Sequence, residues 1–238
     1  MAHAFGFGFD MDLLYNSPAW TPLNLSGVLL WVRADSGITD RSGHGDLDQG
    51  SYSLEPTGYN GKPSLKLNGS SNWLGQNGGA LCTHATGTDK PFTLLMAAQF
   101  VAVTGTTILA EFANTNPAAH DRDDVYQAAG VCTDLRVDTA NVPATHTMGH
   151  TFDTNRHRYA IVFDGTTRQL YVDNVGKGAV STNVGAIAFD LFTLGAARIA
   201  GTPTNFANIR FADIVFLDHA ANATELSKHD EYLVRQYS

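Results

Sequence analysis

Along most of the chain, apolar residues recur at every second position in short runs, and turn residues break those runs before a helical period can develop. Tyr159, Ile161 and Phe163 alternate with polar or small neighbours, and Asp164-Gly165-Thr166 then turns the chain into a run over 169–172. Period two on both sides of a glycine-bearing turn predicts an antiparallel hairpin. Phe92, Leu94, Met96, Ala98 and Phe100 share one face of a longer strand over 92–103, and a strand over 107–112 is expected to pair with it across Thr104-Gly105. The unbroken apolar run over 28–33 implies a strand buried on both faces. Further strands are expected over 64–67, 125–129, 135–137, 192–194 and 209–217.

The pattern changes at the two ends. Phe5, Phe7 and Phe9 alternate with Gly6 and Gly8, and residues 1–24 carry no helical period, which predicts an extended arm ahead of one sandwich over 25–238. Three rings on one side of an extended segment with no side chains on the other suit addition to the edge strand of a neighbouring subunit. The alternatives are a disordered tail or an arm packed on its own domain. At the C-terminus Asn222 and Glu225 form a reciprocal cap, and Leu226, Leu233 and Tyr237 recur at helical spacing, so a helix over about 223–236 is expected. The fold class is therefore all-β, a two-sheet antiparallel jelly-roll sandwich closed by one C-terminal helix.

Composition narrows the function. The 238 residues carry a net charge of −8 with scattered basic residues, leaving no stripe to neutralise phosphates, so nucleic acid is not an expected partner. The apolar runs are too short to span a bilayer. Residues 1–12 lack the basic start, apolar run and cleavage site of a secretory signal; either the chain stays in the cytoplasm until assembly, or a leader was removed. Cys82 and Cys132 do not make a disulfide framework and read as free thiols, although their pairing stays open.

Three ordered segments carry a family resemblance: Leu25-Ser-Gly-Val-Leu-Leu-Trp31-Val-Arg-Ala-Asp35, Asp40-Arg-Ser-Gly43-His-Gly45, and Asn60-Gly-Lys-Pro63-Ser-Leu-Lys-Leu-Asn68-Gly69-Ser70. Together with the 158–173 hairpin and the closing 209–218 strand, they resemble the laminin-G-like, concanavalin A-like jelly-roll family, of the kind found in bacteriophage virion proteins. Residue by residue the matched positions have physical explanations. Asp40 and Ser42 suit a turn in which Gly43 and Gly45 take positive φ, Asn68-Gly69 is a second turn pair, and Trp31 is a core anchor.

Candidate chemistry is sparse. Of the four glutamates, Glu55, Glu111, Glu225 and Glu231, none starts the Glu-x-Asp-x-x-Glu pattern of the family's endoglucanases, so no catalytic residue is assigned and the chain is expected not to be an enzyme. His146 and His150 have zinc-ligand spacing, but 144–151 reads as loop and further ligands are lacking, so no metal is assigned. Calcium is the one cofactor with a candidate place, the acidic run Asp121, Asp123 and Asp124, which reads more simply as a solvated loop neutralised by Arg122. Tyr52, Tyr59 and Trp73 are candidate sugar-stacking aromatics. The resemblance and the arm favour a non-enzymatic virion structural subunit, a capsid decoration, head-fibre or tail-associated protein, located in the virion and bound through Phe5, Phe7 and Phe9 to other virion proteins or to copies of itself. The alternative is a carbohydrate-binding module or host-receptor-binding protein that recognises a surface glycan.

Overall fold

The computed structural model describes residues 20–77, 81, 89–114, 122–137, 143–182, 190–199 and 202–238. The expected arm with Phe5, Phe7 and Phe9, together with Cys82 and Asp121, lies outside them. In chain order the strands are β1 (Val28–Arg33), β2 (Gln49–Ser51), β3 (Ser53–Tyr59), β4 (Lys62–Asn68), β5 (Trp73–Asn77), β6 (Phe92–Ala102), β7 (Thr107–Ala113), β8 (Arg122–Ala128) and β9 (Val131–Val137). They continue as β10 (Pro143–Thr147), β11 (Arg156–Phe163), β12 (Thr167–Val172), β13 (Val175–Thr182), β14 (Leu191–Leu194), β15 (Ala197–Ile199), β16 (Thr202–Thr204) and β17 (Asn208–Leu217), and the chain closes with helix α1 (Ala223–Tyr237).

Two antiparallel sheets face each other. One has eight strands in the order β13-β12-β11-β6-β17-β4-β3, with β1 also on β17; the other has seven in the order β10-β9-β8-β7-β14-β5-β2, and β15-β16 form a separate ribbon. Strand β17 takes two partners along one flank, β4 against 208–211 and β1 against 213–217. The expected pairing of 92–103 with 107–112 is corrected here: β6 and β7 belong to different sheets, and the Thr104-Gly105 turn carries the chain across the sandwich. The two runs are both apolar because both line the interior, which period alone cannot distinguish from direct pairing.

Between the sheets lie Leu30, Leu94, Met96, Phe100, Phe112, Phe163, Phe192, Phe211 and Phe216. A second apolar layer, including Trp31, Leu95, Ala97, Val215, Leu226, Tyr232 and Leu233, lies between the eight-stranded sheet and α1. This explains the unbroken apolar runs of β1, β6 and β17, since each is buried on both faces. The helix starts where the cap predicts: the Asn222 side chain accepts from the Thr224 and Glu225 amides, and the Asn222 amide donates to Glu225 at 2.9 Å. The two turn motifs are also present. Asp40 Oδ2 accepts from the Ser42 hydroxyl and the His44 and Gly45 amides, and Asn68 Oδ1 accepts from the Ser70, Ser71 and Asn72 amides.

Two sets of buried charge tie these layers together. A bulge after Phe211 in the pairing of β17 with β6 puts Ala212 and Asp213 on the helix side. Asp213 accepts there from the hydroxyls of Tyr232 at 2.9 Å and Tyr237 at 3.2 Å, and burial pushes its carboxyl up to about 7. Inside the sandwich Arg168 of β12 is fully buried and reaches across to Asp123 of β8 and Asp134 of β9, with Nη1 2.6 Å from Asp134 Oδ1. Arg136 sits 3.3 Å from Asp123, and the Arg168 guanidinium lies over the rings of Phe92 and Phe163. The expected solvated loop at 122–124 is therefore a correction. These residues form an interior strand, and Asp123 is neutralised from the opposite sheet, a partner that local sequence does not reveal.

Candidate functional site

The seven-stranded sheet has one face in the core and one turned away from it, and the strand registers define the outward face row by row. One row runs Thr145, Leu135, Asp124, Glu111, Thr193, Gly75 across β10, β9, β8, β7, β14 and β5. The next row toward one end of the sheet runs Pro143, Val137, Arg122, Ala113, Leu191, Asn77 over the same strands. Trp73 lies on this face two residues before Gly75, since successive side chains of a strand alternate. The centre of the face thus places two carboxylates and a hydroxyl side by side, with an arginine and a tryptophan nearby.

Glu111 and Asp124 are directly opposed on adjacent strands and almost wholly shut from water, at 0% and 3% exposure. Burial raises both carboxyls well above the carboxylate range; the Asp124 charge adds to the effect on Glu111, whereas Arg122 opposes it on Asp124. Each carboxyl makes ionisation of the other more costly, since the two lie side by side out of water. Glu111 Oε2 accepts the Arg198 amide at 2.5 Å, while Glu111 Oε1, Asp124 Oδ1 and Thr193 Oγ1 have no hydrogen-bond partner among the described residues. Three adjacent buried polar groups with unused hydrogen-bonding capacity are unusual in a folded interior and call for a reason.

The β15-β16 ribbon lies over this face. Its Arg198 donates from the backbone to Glu111 and lays its guanidinium over the Trp73 ring at 4.4 Å. Glycine supplies the floor under the ring: a Cβ at Gly75 would come within 3.0 Å of Trp73 Cζ3, and one at Gly50 within 3.0 Å of Cδ2. The indole is thus held flat between glycine backbone and a guanidinium, a cation–π arrangement that fixes both partners.

The three candidate aromatics do not converge. Trp73 is on this face. Tyr59 lies beneath α1, 3% exposed, edge-on to Tyr237 at 5.6 Å and donating to the His157 carbonyl at 3.3 Å. Tyr52 packs half-buried against the main core. A cavity of about 300 Å³ lies beside Tyr59, lined also by Asn60, Arg156, Arg158 and Tyr237. The expected loop at 144–151 is corrected in its first half: 143–147 forms edge strand β10, with His146 in register with Asp134. Its alternation of small and polar residues lacks the large apolar side chains that would have marked it as a strand. Among the described residues no group of three or more His, Cys, Asp or Glu is arranged to hold a metal ion. Cys132 is buried as a free thiol.

Sequence reasoning missed Thr193, Arg198 and Arg122 as site residues and weighed Glu111 only as a hydrolase carboxylate. A signal was present: Glu111 is the one charged residue in the largely apolar strand 107–113, and such a residue demands a partner on its own face.

No protein-family model and no curated protein matches the sequence. Solved structures do. The binding domain of botulinum neurotoxin serotype G superposes with a TM-score of 0.65 at 11% identity, covering 86% of this chain and 51% of that one. The ligand binding domain of serotype D, in complex with N-acetylneuraminic acid, gives 0.64 at 8% identity, covering 87% and 51%. Domain 4 of a GH43 extracellular arabinanase from Geobacillus stearothermophilus, in complex with arabinotriose, gives 0.63 at 12% identity, covering 85% and 97%. This chain spans about half the length of the neurotoxin domains and aligns with nearly all of the arabinanase domain. At these identities the likeness shows the fold, a β-sandwich of the jelly-roll kind.

Proposed function

We propose that this chain is a non-catalytic binding module that recognises a glycan on the outward face of its seven-stranded sheet. The observation that carries the reading is the Asp124–Glu111–Thr193 row, in which each residue has one buried oxygen without a partner among the described residues, beside a tryptophan on a glycine floor. Sugar hydroxyls donate and accept at once, which suits carboxyl and threonine oxygens with unused hydrogen-bonding capacity. An aromatic ring close to a few convergent polar groups is a common makeup of small-ligand sites. Similarly folded domains in complex with N-acetylneuraminic acid and with arabinotriose support the same class of ligand.

The pair is poorly arranged for hydrolysis. Glycoside hydrolysis needs a carboxyl on each flank of a bond that enters between them, whereas Glu111 and Asp124 are directly opposed and buried at 0% and 3% exposure. Assembly into a virus particle, the other function suggested by the sequence, draws no support from the solved structures named above. The test is an oligosaccharide array followed by calorimetry on wild type, Trp73→Ala and Thr193→Val. Binding that both substitutions weaken is expected; binding indifferent to both would overturn the assignment to this face.

A further inference from the structure

The cavity beside Tyr59 lies on the opposite side of the sandwich from that face, where the last turns of α1 and the β3–β4 turn close over β11 of the eight-stranded sheet. Its volume of about 300 Å³ stands at the lower end of the range for small-ligand sites. The walls are held by contacts already made. Asn60 takes the left-handed conformation in the β3–β4 turn, at φ 50°, and donates from Nδ2 to the Tyr237 carbonyl at 2.7 Å, which joins that turn to the end of the helix. Tyr59 is fixed by its hydroxyl on the His157 carbonyl and by its edge contact with Tyr237. The cavity is therefore preformed, and a ligand can reach it, since Arg156, Asn60 and Val234 of its lining are all exposed.

Two guanidiniums line it, two residues apart on one face of β11, and they differ in their partners. Arg158 is committed, with Nε 2.5 Å from Asp230 of α1 and Nη2 3.5 Å from Asp173. Asp173 is engaged from its other oxygen by His157, whose Nδ1 lies 2.7 Å away. Arg156 makes no ion pair with any described residue, although the chain carries 23 acidic residues against 15 basic ones. Its fork of N–H donors is left for whatever enters the cavity. Leu233 and Val234 of α1 add apolar surface to the same lining.

We infer that this cavity binds a small organic acid, its carboxylate held bidentately by Arg156 and its apolar body lying against Leu233 and Val234. A planar fork of donors matches a carboxylate, and apolar helix surface shields the rest of such a ligand from water. The site is separate from the glycan-binding face, so neither reading depends on the other.

The experiment is an amide chemical-shift titration of the full chain with benzoate, 3-phenylpropionate and 4-methylpentanoate, each beside its own primary amide. The amide keeps the size and shape of the acid and removes the charge. At least one acid should bind with a dissociation constant of about 1 mM or tighter, shifting Asn60, Arg156 and Val234, and about fivefold or more tighter than its amide. Arg156→Gln should lower the affinity for that acid about fivefold or more at an unchanged melting temperature. Arg235→Gln, which removes an exposed charge of α1 outside the cavity lining, should leave the affinity as it was. Should Arg156→Gln fail to fold, the wild-type comparison of acid with amide decides by itself. Amides that bind as well as the acids would overturn the inference, as would saturable shifts confined to other parts of the chain or no saturable shift with any of the acids.

Discussion

Replacing Arg168 with methionine removes a fully buried cation that bridges the two sheets inside the sandwich. The side chain is fully buried, contacts Asp123 and Asp134, and stacks on Phe92 and Phe163. Methionine restores most of the apolar contact but takes the Arg168 charge from two interior carboxyls, with Arg136 still 3.3 Å from Asp123. Breaking a buried ion pair on one side costs about 3 to 5 kcal/mol, because the orphaned charge loses its partner and regains no water. A domain is stable by only about 5 to 15 kcal/mol, so the loss is a large share of the total. For a chain of this size it corresponds to a fall in melting temperature of about 6 to 20 °C. Urea unfolding followed by circular dichroism reads the free energy, and calorimetry reads the temperature. The triple variant Arg168→Met, Asp123→Asn, Asp134→Asn should recover much of the loss, since it removes the orphaned charges as well. A single variant within about 1 kcal/mol of wild type would refute the claim that this network joins the sheets.

Three further outcomes are expected. Thr193→Val should leave thermal stability unchanged or slightly raised, because the buried hydroxyl has no partner to lose among the described residues, while ligand affinity drops about tenfold in calorimetry; a marked loss of stability would mean the hydroxyl is satisfied within the fold. Asp213 keeps its proton to about pH 7 in the folded chain but releases it near pH 4 when unfolded, so the native state binds more protons in that window and stability falls as pH rises through it. The slope should approach 1.4 kcal/mol per pH unit at most and level off above about pH 7; urea titrations across this range should show a flatter profile for Asp213→Asn, and an unchanged slope would contradict the assignment. Truncating Trp31, Phe163 or Phe211 to alanine should cost about 3 to 5 kcal/mol in the same assay, each ring being buried in one of the two apolar layers; a loss under 1 kcal/mol would show that the site collapses around the change.

Much of the fold was legible from local pattern. The 156–172 hairpin, the long strand at 92–102 and the capped C-terminal helix all announce themselves by period and turn chemistry, because each depends on residues close together in sequence. What was hidden depends on partners far apart. Whether 92–102 and 107–113 pair or belong to opposite sheets is decided by the whole topology, and the role of Asp123 depends on Arg168, which lies 45 positions further along by residue number. Short strands such as β2, β10 and β16 carry few apolar residues, since they sit at edges or in the ribbon where burial asks little of them. The candidate site was legible only in fragments: Trp73 stood out as an aromatic after a turn, but Thr193, Arg122 and Arg198 become neighbours of Glu111 only once five strands are placed in register.

The central claim is that a glycan occupies the outward face of the seven-stranded sheet, and amide chemical-shift mapping during titration with an oligosaccharide tests it most directly. Shifts should concentrate on Gly75, Glu111, Asp124, Thr193 and Arg198, with Trp73 indole signals moving along with them. Shifts gathered instead around Tyr59, Asn60 and Arg156, beside α1, or no saturable shifts with any oligosaccharide, would contradict it.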